Sequence, residues 1–535
     1  MSNRLIYLLP MLAILVLAAL PSYWLMPRGD EALYMLQGKL IAEGQLPYRD
    51  FFQFLLPGSL YFCALIFKLS DVSVFAARIA ITILQLSAVY ALFRMGQSRL
   101  GLTSRILLGL FVWFSIITMS GVSHHALAGV LAVWVMYFTF LFIHQKRRRW
   151  VILSGLLAGI LLLTSQTPGF LIIISYIFVY LWLTKTKTHP VFQSATLLFI
   201  FSAALPMLLF VAVLLFTGSF YDFLRDLQWL FQGYYLRTTT LGYFVTGMTE
   251  IKNSLFSWDG KQWFFVWTNL PVALQLFLTG WLPVLGILWG IQILIRQKQL
   301  GQSLSPSLFL LTISALLLLI SSTSYSTCYH ISQVSWPGYL LGAMALKNLL
   351  SHRPKTSFIL KTLACLSLFI IVFNRMLFFV QAITTPSQWV VSYGTNEHAL
   401  WLPDSSKNTL TMSKLVEFIH QLVPADAPIF VWNASPEFYL LSNHPPATRY
   451  PIVIPFYTSS SQIQEITTQL SRKLPSLLLY DAKIASIFNS DPRYARFREQ
   501  ATDIPALRTV INERYRPWLS MGNYTLFLLY PAQRP

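Results

Sequence analysis

The sequence predicts a polytopic α-helical membrane protein of about 11 transmembrane helices, with a small α/β domain at its C-terminal end. Three observations predict it. Hydrophobic residues make up 55% of the 535 residues and charged residues 11%, where a soluble domain carries about a quarter charged. Apolar runs of roughly 20 residues, the length that crosses a bilayer, recur up to position 379. All 20 acidic residues fall in three blocks, 30–71, 222–259 and 397–513, while basic residues crowd the short loops between apolar runs.

The spans follow in order. Residues 5–25 form the first, preceded by Arg4; its length exceeds that of a signal-peptide core. Residues 73–95 form the second, followed by Arg94, Arg99 and Arg105. Spans three and four cover 106–121 and 126–143 and end at Lys146 to Arg149. Spans five and six cover 151–166 and 168–184 and end at Lys185 and Lys187. Span seven covers 192–217, eight 271–295, nine 306–323, ten 331–349 and eleven 358–379. Basic loops alternate with acid-bearing segments, which puts the N-terminus in the cytoplasm and the C-terminal region outside the plasma (inner) membrane. The same alternation assigns the net charge of +19 to membrane topology, so a nucleic-acid partner is not expected. Cys63, Cys328 and Cys365 are too scattered for a disulfide framework or zinc site; Cys365 reads as a packing residue.

Residues 1–379 thus read as a transmembrane domain with outer loops at 26–72 and 218–270, and residues 380–535 as an extracytoplasmic domain. In the first loop, Leu33, Leu36, Leu40 and Ile41 recur at helical spacing, which suits a helix on the membrane surface ended by Gly44 and Pro47. The apolar stretch 57–69 is too short to span and reads as a helix dipping into the outer interface. The loop 218–270 is rich in Trp, Tyr and Phe, as interfacial segments are. In the C-terminal region LVEFIHQLV, PEFYLLSN, SQIQEITTQLSRKL and PALRTVINERY read as helices, and PIFVW, SLLLYD and NYTLFLLY as strands. No glycine-rich phosphate loop accompanies them. Asn433-Ala-Ser and Asn523-Tyr-Thr match the glycosylation sequon by chance.

Asp30 and Glu31 stand where chain leaves bilayer, a costly place for an acidic pair without work to do. The first turn of a helix also suits them, since acids there complement the helix dipole. The region around them, Asp30-Glu31, GQLPYRDFF, Pro57-Gly58 and ALIFKLSDVSVFAARIA, with SGLLAGILLLTSQTPG further on, resembles the GT-C superfamily of polyprenyl-phosphate-sugar-dependent glycosyltransferases. It is similar in particular to the protein O-mannosyltransferase and lipid A aminoarabinose transferase branch. The resemblance covers residues 26–100, weakens to 170, and is architectural beyond. Gln53-Phe54-Leu55-Leu56-Pro57 lacks the His or Lys that the family often places before Pro-Pro, and Ser165-Gln166 replace a common Lys or Arg.

The resemblance implies a glycosyltransferase that takes sugar from a polyprenyl-phosphate donor and gives it to a glycan, lipid or protein acceptor of the cell envelope. It implies Asp30 as general base and Glu31 as an orienting group. Asp50, in the aromatic-Asp segment, is a second candidate and equally suits a loop turn. Arg78, a turn inside span two, needs a carboxylate or phosphate partner unless it snorkels. His124 and His125, with side chains about 100° apart on a helix, and His330, among hydroxyl residues, share the outer side and could meet phosphate. Arg237, in YYLRTTT, is a further phosphate candidate or a solvated charge. No ligand spacing points to a metal, and no cofactor is indicated. The bundle is expected to gather several of these residues around a cleft beneath the C-terminal domain, roofed in part by loop 218–270. Two other classes stay open: a lipid-linked substrate transporter or flippase, against which the lack of a repeat speaks, and a catalytically inactive scaffold.

Overall fold

The computed structural model describes residues 27–117 (28 aside), 121–186, 190–232, 264–322, 328–351, most of 355–373, 390–391, 400–401, 407–482 (434, 455 and 456 aside) and 504–530. Two compact units result. The first comprises 1–22, 78–213 and 241–379, the second 23–77, 214–240 and 380–535. Residues 23–77 and 214–240, which include the first long loop and the start of the second, thus belong to the same unit as the C-terminal region.

The first unit is a helical bundle. Its helices are α3 (Val74–Met95), α4 (Leu102–Ile117), α5 (His124–Gln145), α6 (Arg148–Thr164), α7 (Gln166–Thr186), α8 (Pro190–Gln193), α9 (Ala195–Phe216), α11 (Phe264–Gln299), α12 (Pro306–Ser321), α13 (Cys328–Val334) and α14 (Trp336–Leu350). Among the described residues five helices are long and apolar enough to cross a membrane, and shorter apolar helices lie at Leu102–Ile116, Pro306–Ser321 and Phe358–Ser367. The expected first span lies outside the described residues, and the last is described only in part. Small residues allow close helix approach: a Cβ on Gly129 of α5 would lie 1.8 Å from the carbonyl oxygen of Gln333. Hydroxyls bridge helices inside the bundle, as where the Thr139 hydroxyl meets Ser154 at 2.8 Å and Tyr180 at 2.9 Å.

Span ten departs from expectation. It is broken at Ser335 into α13 and α14. Pro337 has no N–H to offer the carbonyl of Gln333, so the ladder cannot continue through it; that carbonyl abuts Gly129 instead. Cys365, expected to pack, is exposed on its helix.

The second unit begins with α1 (Asp30–Ala42) and α2 (Gly58–Ser70). The surface-helix expectation for α1 fails: residues Tyr34 through Leu40 are all buried, polar Gln37 and Lys39 included. The helix is packed by protein on most sides. Gly38 permits this, since a Cβ there would lie 2.4 Å from that of Cys63 on α2. After the span comes α10 (Phe220–Phe231), whose inner face buries Asp226 and Trp229.

The C-terminal region adds β1 (Val390–Val391), β2 (Leu400–Trp401), α15 (Lys407–Leu422), β3 (Phe430–Trp432), α16 (Glu437–Leu441), α17 (Ser460–Arg472), β4 (Leu477–Asp481), α18 (Pro505–Arg514), β5 (Tyr515–Met521) and β6 (Tyr524–Leu529). Its main sheet has the order β3-β4-β6-β5, with β3 parallel to β4 and the rest antiparallel. The expected helices and strands are present, and α17 starts with a capping box on Ser459 and Gln462. Strand β5 was not expected. Pro517 interrupts its pattern, which an edge strand tolerates at the register shift between Pro517 and Leu519. A core of Phe430, Trp432, Leu478, Ile466 and Ile511 joins helices to sheet. Asn433 is buried and its side-chain amide donates to the Asp481 carbonyl, so that sequon offers no acceptor.

Candidate functional site

Asp30 opens α1. The N-cap is Gly29, with φ 54° and no side-chain cap, and Asp30 and Glu31 are the acids of the first turn. They therefore complement the helix dipole without capping it. Asp30 is exposed and Glu31 half-buried. Even so, desolvation by surrounding protein raises the Asp30 carboxyl above its ordinary value. An accessible carboxylate that is short of water is a better base than a fully hydrated one.

Asp50 is differently placed. One of its oxygens accepts from the Leu46 amide at 2.7 Å, and the Arg49 guanidinium donates to both, at 2.9 and 3.0 Å. The Arg49 hydrogen bond holds its pKa below the usual range. This is a turn clasp and a weak base.

Behind Asp50 lies a buried polar junction that joins the first loop, α10 and the C-terminal domain. Asp226 is 2% exposed and Arg449 7%. One Arg449 nitrogen, Nη2, donates to the two Asp226 oxygens at 3.0 and 2.8 Å, and also to the Tyr48 carbonyl. Asp226 accepts from the Gln53 amide at 3.1 Å, and the Phe52 amide donates to the Arg449 carbonyl at 2.7 Å. The Tyr450 hydroxyl donates to Glu465 at 2.7 Å. Gln53, which stands near the family's missing cation, is buried and donates to Gln37 at 2.9 Å. Burial lifts the Asp226 carboxyl to about 6 against the pull of Arg449. Aromatic rings flank the junction, with Phe54 4.8 Å and Tyr457 4.7 Å from Trp229, centroid to centroid. Beside it a cavity of about 500 Å³ is walled by Gln45, Arg49 and Asp50, by Asp222 and Arg225 of α10, and by Arg449, Glu465 and Gln469.

Neither Asp226 nor Arg449 was found by sequence reasoning. Asp226 carries a signal, a carboxylate three residues from Trp229 on the inner face of an amphipathic helix. Arg449, in the irregular segment PPATRYP, carries none.

The remaining candidates belong to the first unit. Arg78 is buried near the start of α3, which excludes snorkelling. The histidines meet: ring centroids of His124 and His125 are 3.8 Å apart, and His330 stands edge-on to His125 at 4.4 Å. The expected divergence of His124 and His125 is not found: their rings lie together in the first turn of α5, which Ser123 caps by accepting from the Ala126 amide. His330 and Gln333 share a face of α13, as His125 and Gly129 do of α5; the histidine contact and the Gly129–Gln333 approach form one seam. Among the described residues no group of three His, Cys, Asp or Glu is placed to hold a metal ion. Arg237 lies outside the described residues.

No family model matches the chain, and no curated protein matches it in sequence. Solved structures do match its fold. ArnT from Cupriavidus metallidurans bound to undecaprenyl phosphate is 12% identical, covers 97% of this chain with 97% of its own, and superposes with a TM-score of 0.56. The Archaeoglobus fulgidus oligosaccharyltransferase in complex with Zn and sulfate is 13% identical, with 94% of this chain and 71% of that one covered and a TM-score of 0.52. At such identities the likeness establishes the fold. The chain is a polytopic helical membrane protein that shares the fold of these structures and carries a C-terminal α/β domain.

Proposed function

We propose that this protein is an integral-membrane glycosyltransferase that moves a sugar from a polyprenyl-phosphate donor to a cell-envelope acceptor on the outer face. The observation that carries the reading is Asp30: an exposed carboxylate at the first turn of α1, whose pKa desolvation raises. The shared fold with ArnT bound to undecaprenyl phosphate supports the donor class.

In this reading the acceptor hydroxyl loses its proton to Asp30 as its oxygen attacks C1 of the sugar. The bond from C1 to phosphate oxygen breaks, its electrons leave with the polyprenyl phosphate, and the anomeric configuration inverts. Glu31 orients the acceptor or the base. Arg78 and the histidines His124, His125 and His330 are assigned to the donor phosphate, as charge and hydrogen-bond donors; Arg237 is assigned there from sequence. Asp50 serves the reaction only by shaping the first loop.

The test compares envelope glycans and glycolipids of intact cells, a deletion strain, and the deletion strain carrying Asp30→Asn. Asp30→Asn should match the deletion while inserting at normal levels, since removing a general base costs about 10²–10⁴-fold. Restoration of the wild-type profile would overturn the assignment. A deletion strain with unchanged glycans but a stalled lipid-linked precursor on the inner leaflet would point to transport instead.

A further inference from the structure

We propose that the cavity between Gln45 and Arg449 binds an uncharged, hydroxyl-rich glycan and that, resting on the glycosyltransferase reading, it holds the distal part of the acceptor. Leu40, on the cavity wall, lies ten residues along α1 from Asp30, about 15 Å at 1.5 Å per residue. The cavity therefore sits at the far end of the helix that presents the proposed base. An extended oligosaccharide spans such a distance, and a single sugar does not.

The walls fit hydroxyls better than anions. Three guanidiniums face the cavity and three carboxylates accompany them: Arg49 with Asp50 at 2.9 Å, Arg225 with Asp222 at 3.1 Å, and Arg449 with Glu465 at 3.9 Å. The six charges sum to zero, and each cation already has a carboxylate beside it. A phosphate or sulfate would have to displace one of these partners at the full cost of desolvation. A sugar hydroxyl donates to a carboxylate and accepts from a guanidinium without displacing either. Gln45 and Gln469 add groups that both donate and accept. The volume of about 500 Å³ lies within the range of about 300–1,000 Å³ for small-molecule sites, room for a short oligosaccharide.

The test uses the fluorescently labelled full chain in nanodiscs on an array of neutral, sulfated and phosphorylated glycans. The wild type should bind a subset of neutral oligosaccharides. Gln45→Trp and Ala447→Trp, which fill the cavity from two separate chain segments that line it, should each lower that signal at least tenfold with unchanged Tm. Asp30→Asn should bind as the wild type does, so loss of transfer and loss of glycan binding are read separately. A second measurement needs no tryptophan to fold: the best array glycan should slow alkylation of a cysteine at Gln45 and leave one at Glu43 unaffected. Absence of neutral binders, stronger binding of anionic glycans, full binding by both tryptophan variants, or unprotected cysteine at Gln45 would each overturn the proposal.

Discussion

Arg449 and Asp226 form a pair whose removal by halves should be far costlier than its removal as a whole. Each is buried, and stripping a buried charge of its partner costs about 3–5 kcal/mol, while replacing both groups together costs much less. Arg449→Met and Asp226→Asn should each lower the Tm of the detergent-solubilised protein, and the double variant should melt well above the level that their sum dictates. Strict additivity would show that the two do not interact. The pH dependence has a definite sign. Burial raises the folded pKa of Asp226 to about 6, above its unfolded value, so protonation favours the fold; that contribution is present at low pH and is lost as pH rises through about 6. Arg449 lowers that pKa, so in Arg449→Met the carboxyl titrates above the wild-type value, and the variant lacks the ion pair that the wild type keeps as pH rises. The Tm deficit of Arg449→Met relative to wild type should therefore be larger at pH 7.5 than at pH 5. An equal deficit at both would mean that Asp226 stays charged, or stays neutral, throughout.

Elements were legible where one pattern dictated them. Among the described residues, apolar runs placed spans two to seven and nine within about four residues of the observed helices, and the turn-bounded β-prone run NYTLFLLY placed β6. Failures have particular causes. Span ten reads as one run because hydropathy ignores that Pro337 deprives Gln333 of a partner. Helix α1 reads as amphipathic because Gln37 and Lys39 look like surface residues, yet Gln37 is buried by its hydrogen bonds to Gln53 and the Phe52 carbonyl. Asp30 is a candidate from charge placement and resemblance, whereas the Asp226–Arg449 pair joins positions 223 residues apart, a pairing that no local pattern records. Close packing yields a prediction at this scale. Gly38→Val should destabilise the pair α1–α2 by about 1–3 kcal/mol, the usual cost of overpacking, because the new side chain meets the Cys63 Cβ and not a flexible tip. A variant with wild-type Tm and expression would show that the two helices can part without cost.

At the scale of the whole molecule, the contacts among the first loop, α10 and the C-terminal domain require all three to lie on one side of the membrane. In a background with Cys63, Cys328 and Cys365 replaced by serine, cysteines at Glu43 and Asn443 should react with an impermeant maleimide from the outer face, and one at Lys146 only after permeabilisation. Labelling of Glu43 and Asn443 from opposite faces would refute the arrangement. The second unit is assembled from three stretches far apart in the chain, and this has a consequence in time. Asp226 leaves the ribosome 223 residues before Arg449, which at about 5–20 residues per second is roughly 10–45 seconds of synthesis. On the proposed topology, the first loop and α10 are through that interval already translocated but still lack their lid. A nascent chain stalled before Arg449 should accordingly be open to outer-face proteases and chaperones at Asp226 and Trp229, and closed to them once the last domain arrives.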